Sequence, residues 1–211
     1  MSANCCNQTR EDQLHDGRYR SVLWAVLAIN SVMFLIEIIA GAVAGSASLQ
    51  ADALDFLADA ANYGISLFVV GMALRYRASA ALAKGVTMGL LGLWVMSTAF
   101  WHVASGTVPE AATMGAVGGI ALLANAVSFA LLWAYRDGDS NMRSVWLCSR
   151  NDVIGNCAVL LAALGVFNSG KGWPDIFVAL VMACFALQGA WLVTRLALAE
   201  LQPRHGPHFP A

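Results

Sequence analysis

The sequence predicts an all-α integral membrane protein of six spanning helices with both termini in the cytosol. Three observations carry that expectation. Hydrophobic residues make up 59% of the 211 and charged residues only 12%, about half the charged share of an ordinary soluble domain, and mean hydropathy is +0.64. Six apolar stretches are long enough to cross a hydrocarbon core of about 30 Å. The basic residues are also unevenly placed. With a cytosolic N-terminus, Arg10, Arg18, Arg20, Arg75, Arg77, Lys84, Arg136, Arg143, Arg195 and Arg204 fall on the cytosolic side, Arg150 falls inside the fifth stretch, and only Lys171 lies outside. That is the asymmetry of the positive-inside rule.

The stretches cover 20–44, 47–74, 80–104, 113–135, 143–167 and 174–200. Residues 1–18 are polar and mixed in charge, and the first stretch is longer than the apolar region of a signal peptide, about 7–15 residues. It is therefore read as a retained helix after a short cytosolic tail. Gly and Pro punctuate the outer connections at Gly45–Ser48, Ser105–Glu110 and Asn168–Pro174. Pro174 suits the first turn of the sixth helix, where a missing N–H costs nothing. The pairs Gly41/Gly45 and Gly115/Gly119 are read as points of close helix packing. The resulting division is a tail over 1–18, one six-helix domain over 19–202 and a tail over 203–211.

The second stretch carries the chemistry. Asp52, Asp55 and Asp59 stand in an otherwise apolar run, and at 100° per residue they fall within about 60° of arc on one helix face. Ionisable groups at membrane depth cost several kcal/mol each and are kept where they face a bundle interior and bind an ion, a proton or a counter-charge. In the fifth stretch Cys148 and Asp152 are spaced i, i+4, and Asn156 continues that face. The two helices run in opposite directions, which sets Asp55 level with Asp152 and Asp59 level with Cys148. Two such pairs converge on one point and offer up to four ligands in a tetrahedron. Carboxylates alone suit magnesium or manganese, whereas a thiolate among them favours zinc or cadmium. The metal candidates are thus Asp55, Asp59, Cys148 and Asp152, with Asp52, Asn151 and Asn156 as accessory candidates.

Other signals weigh less. Asn30 and Glu37 share a face of the first helix and are read first as interhelical hydrogen-bonding groups. The aliphatic stem of Arg150 suits snorkelling to the cytosolic interface. Gly165–Lys171 matches the spacing of a phosphate-binding loop, but it follows an apolar helix and continues with Gly172, so nucleotide binding is set aside. Cys5, Cys6, His15, His205 and His208 in the tails are candidates for collecting cytosolic metal. The five cysteines form no disulfide framework.

The acidic motifs resemble those of a known family. Ser48–Asp59 is similar to the second-helix signature of the cation diffusion facilitators, S-x-x-x-x-D-A-x-[HD]-x-x-x-D, and Asp152–Ala158 resembles their fifth-helix motif. The resemblance spans roughly residues 15–200. It implies a metal/proton antiporter that exports divalent cations from the cytosol by alternating access, with Asp55, Asp59, Cys148 and Asp152 at the family's transport-site positions. It also implies a homodimer in the lipid bilayer, the inner membrane if the cell is bacterial. Zinc or cadmium is then cargo, protons are the counter-ion, and neither a cofactor nor a nucleic-acid partner is expected. The sequence departs from the family in having Cys148 where many zinc transporters have histidine, and in leaving no room for the cytosolic ferredoxin-like domain. The chain is accordingly read as a short form. Two alternatives remain at this stage: an intramembrane metal-dependent enzyme such as a phospholipid phosphotransferase, whose D-G-x-x-A-R stretch is missing, and a membrane metal sensor.

Overall fold

The computed structural model describes the backbone of residues 3–68, 73–135 and 140–201, and their side chains except those of 3–16, 74, 77 and 140–151. These residues form six long helices and no strand. The helices are α1 (Ala3–Ala44), α2 (Ala47–Phe68), α3 (Leu74–Ser105), α4 (Ala111–Leu132), α5 (Ser140–Ser169) and α6 (Trp173–Leu201), with a short 3-10 turn, Trp133–Tyr135, after α4.

The expected boundaries move in three places. The stretch 47–74 is not one helix: Ala73 is extended (φ −58°, ψ 147°), its carbonyl accepts from Tyr76 N, and Leu74 already opens α3. The first helix reaches back to Ala3, so most of the expected tail continues the helix. The fifth begins at Ser140. The outer turns fall where Gly and Pro placed them. Gly45 closes α1 with φ +65°, and the amide of Ser46 bonds Gly41 O at 2.9 Å. This is the left-handed C-terminal stop that favours glycine.

Among the described residues, five segments are long and apolar enough to cross a bilayer: Gly17–Ala44, Ala78–Ser105, Ala111–Tyr135, Asp152–Ser169 and Trp173–Leu201. The surface they present is apolar, with Val43, Phe167, Trp101 and Trp191 all at least 70% exposed. A water-soluble protein does not leave so many large apolar side chains uncovered. The chain is a multi-pass integral membrane protein.

Helix α2 is not among those five, since its three aspartates lower its hydropathy. It has no need of an apolar circumference, because it touches α1, α3, α5 and α6, and every residue from Ala47 to Leu54 is buried. The strongest pairings elsewhere are α3 with α6 and α4 with α5. Small residues set these close approaches. A Cβ on Gly41 would meet Gln50 Cγ at 2.9 Å, so α1 and α2 pack nearly backbone to backbone there. The expectation for Gly115 and Gly119 is corrected, because both would face open space. Their neighbour Gly118 instead lies on the buried face of α4, against Leu160 and Val159 of α5.

Candidate cation site between helices two and five

The acidic stripe of α2 points into the bundle. Asp52 and Asp59 are buried and Asp55 is half-buried. Asp59 Oδ2 accepts a hydrogen bond from Tyr63 Oη one turn on, at 2.7 Å, and its carboxyl lies within hydrogen-bonding distance of the Asp152 carboxyl across the helix interface. Two carboxyls this close need a proton or a cation between them, since like charges in a low-dielectric interior repel strongly.

Two turns nearer the N-terminus of α2, Asn156 of α5 donates to Asp52 Oδ1 at 3.1 Å and to its own helix at Asp152 O, 3.0 Å. Between these two pairings the backbone of α5 passes over Asp55: a Cβ on Gly155 would lie 3.9 Å from Asp55 Oδ2. Glycine here lets the carboxylate stand under the facing helix.

The contacts fall within about one turn of the expected antiparallel register: Asn156 meets Asp52, Gly155 stands over Asp55, and Asp152 is acted on by both Asp59 and Asp55. Asp55, Asp59 and Asp152 still share one region and act on one another electrostatically. The side chains of Cys148, Arg150 and Asn151, like Cys5, Cys6, His15, His205 and His208, lie outside the described residues. Among the described residues no three His, Cys, Asp or Glu side chains are drawn tightly enough together to close around one ion.

Three residues gain importance that spacing alone did not assign them. Glu37 of α1, fully buried, stands close enough to Asp52 for the two carboxyls to act on one another. Asn30 does not join it and turns its amide back to Val26 O, 2.8 Å away in its own helix. Lys84 of α3, read from sequence only as a basic residue at the cytosolic side of the third stretch, donates to Asn62 Oδ1 on α2 and lies close enough to act on Asp59. It puts a positive charge beside the C-terminal end of the acidic stripe. Asp175, in the first turn of α6, is completely buried and accepts four hydrogen bonds: from Ser46 Oγ (2.7 Å), Ser48 Oγ (2.6 Å), Ser48 N (3.0 Å) and Ala47 N (2.9 Å). A carboxylate from α6 thus caps the N-terminus of α2, where unpaired amides and the positive end of the helix dipole favour an anion.

A multi-helix membrane bundle with a buried acidic cluster between two antiparallel helices defines a class of ion-handling membrane proteins. Within that class the chain belongs to the cation efflux family, whose transmembrane-domain model matches residues 23–202. It is 21% identical over 199 residues to the metal cation efflux system protein CzcD of Cupriavidus metallidurans, covering 89% of this chain and 63% of that protein. To the zinc transporter ZitB of Escherichia coli it is 25% identical over 199 residues, 88% and 63% of the two. To the cadmium, cobalt and zinc/H(+)-K(+) antiporter of Bacillus subtilis it is 23% identical over 198 residues, 86% and 63%. The chain thus spans just under two thirds of the length of these relatives. The names of these relatives are those of cation transporters and not of enzymes.

Proposed function

We propose that this chain moves divalent cations of the zinc and cadmium class out of the cytosol in exchange for protons, holding the cation between α2 and α5. The observation that carries the reading is the close approach of Asp59 and Asp152 across those helices, with Asp55 beside them. A carboxyl pair that must hold either a proton or a cation is the minimal device for exchanging one for the other. In this reading α2 is the sixth membrane-spanning helix, enclosed by its neighbours, and the basic residues keep both termini cytosolic. Cys148 supplies a soft donor that biases the site towards zinc and cadmium over magnesium, and Asp52, Asn151 and Asn156 assist around it. The names of the relatives support zinc, cadmium and cobalt as cargo and protons as counter-ion. Alternating access, a homodimeric assembly and residence in a bacterial inner membrane complete the proposal.

The test is flux in sealed proteoliposomes across a panel of divalent ions, with an internal pH dye. Metal uptake coupled to proton movement in the opposite direction is expected. Metal movement without proton movement would sink antiport, and metal binding without movement would favour a sensor.

A further inference from the structure

Towards the N-terminal end of α2 lies a second group of buried polar atoms that the Asp59–Asp152 pair does not use. Glu37 is 0% exposed, Asp52 1% and Asn156 0%. Among the described residues, both carboxyl oxygens of Glu37, Oδ2 of Asp52 and Oδ1 of Asn156 have no hydrogen-bond partner. The three side chains come from three different helices and meet at Asp52, which stands close enough to Glu37 to act on it electrostatically and accepts from Asn156 Nδ2 at 3.1 Å. Buried acceptors without donors cost about 1–3 kcal/mol each and more when charged. Native interiors keep such groups where something else satisfies them.

We infer that Glu37, Asp52 and the amide oxygen of Asn156 form a second, oxygen-only site for a divalent cation, distinct from the carboxyl pair of Asp59 and Asp152. Two carboxylates supply the charge that balances one divalent ion, and the orphaned oxygens supply its ligands. The site contains no sulfur or imidazole donor, so it holds zinc or cadmium more weakly than a site with a soft donor and tolerates manganese better. Asp52 lies seven residues from Asp59 on the same helix face, roughly 10 Å along the axis, with Asp55 between them. A cation can therefore pass along the stripe from one site to the other. The inference deepens the proposed function, since it makes the second site a station for the same cargo on the side of the Gly45–Ser48 turn.

Equilibrium binding of cadmium to the full chain in detergent, with NMR of the bound cadmium, tests it. The wild type is expected to bind two ions with distinct resonances, one of them in the range of oxygen-only ligation. Glu37→Gln, which is isosteric, should weaken that ion by at least about tenfold and leave the other resonance in place, and the isosteric Asp52→Asn should weaken the same ion by a similar factor. Asp152→Asn should do the reverse. Manganese, followed by paramagnetic resonance, should bind the Glu37 site in preference. One ion in the wild type, lost in both Glu37→Gln and Asp152→Asn, would mean a single shared site and overturn the inference while leaving the transport reading intact. Two ions unaffected by Glu37→Gln and by Asp52→Asn would also overturn it. If Asp152→Asn spares both ions while Glu37→Gln removes one, the second site stands and the reading of the Asp59–Asp152 pair fails.

Discussion

Two groups of buried carboxylates occupy this molecule, and they are built on opposite principles. Asp175 has four donors for its two oxygens, among them two backbone amides and two serine hydroxyls. The acids gathered along α2 from three helices have more oxygens than donors: among the described residues, Glu37 of α1 has no partner for either oxygen, and Oδ2 of Asp52 and Oδ2 of Asp152 of α5 have none. Glu37 and Asp52 are as thoroughly buried as Asp175, so burial alone does not separate a structural acid from a functional one. The ratio of donors to acceptors does. A saturated carboxylate is satisfied as an anion and has no capacity left for an ion, whereas an undersupplied one is satisfied only when something mobile arrives.

The sharpest way to break this contrast is to remove members of the undersupplied group. Asp59→Ala, Asp152→Ala or Asp55→Ala should each lower metal flux by about two orders of magnitude while leaving a monodisperse, membrane-inserted protein. Wild-type flux in folded variants would mean that these acids are not the cation site. The second effect in size belongs to the saturated acid. Asp175→Ala strands the amides of Ala47 and Ser48 and should cost about 2–4 kcal/mol of stability, read as a lower melting temperature. Cadmium affinity at the Asp59–Asp152 pair should change much less. A melting temperature equal to wild type would show that water replaces the cap.

Acidity distinguishes the groups in a third way. Protons compete with the cation for the Asp59–Asp152 pair, so cadmium affinity should fall as pH falls, and calorimetry in buffers of different ionisation enthalpy should count protons released on binding. Zero release near neutral pH would remove the basis for exchange. The smallest effect is chemical selectivity. Cys148→Ser should reduce cadmium transport severalfold more than zinc transport, because a hydroxyl replaces a soft donor. Equal loss, or no loss, would assign Cys148 to packing.

Much of this was legible in the chain. The apolar stretches and their Gly and Pro boundaries placed five helices and three turns, since desolvation of the backbone leaves few alternatives in lipid. The stripe at 52, 55 and 59 was equally plain, because it depends only on helical period. What periodicity does not carry is depth across a helix interface. The nearness of Asp152 to Asp59 depends on how α5 slides along and tilts against α2, and contacts such as that of Asn156 with Asp52, 104 positions apart in sequence, carry no local signature. Glu37 was visible as a polar residue in α1, yet nothing local says that it faces Asp52 rather than Asn30. Asp175 was passed over because its donors, Ser46 and Ser48, lie more than 120 positions earlier in what reads as a simple turn.

The cap on α2 also has a mechanical meaning. A helix pinned at one end behaves as a lever, and the displacement of each residue grows with its distance from the pin. Measured from Ser48, Asp52, Asp59 and Phe68 stand about 6, 16 and 30 Å along the axis. A tilt of about 10° around the Asp175 cap would then move them by roughly 1, 3 and 5 Å at that same rise per residue. Such a motion leaves the Asp52 end almost in place, parts Asp59 from Asp152 by about the length of a metal–ligand bond, and swings the far end by the width of an ion with part of its water. One fixed point at the Gly45–Ser48 turn thus grades movement along the acidic stripe, with least travel at Glu37 and Asp52 and most at the end beside Lys84.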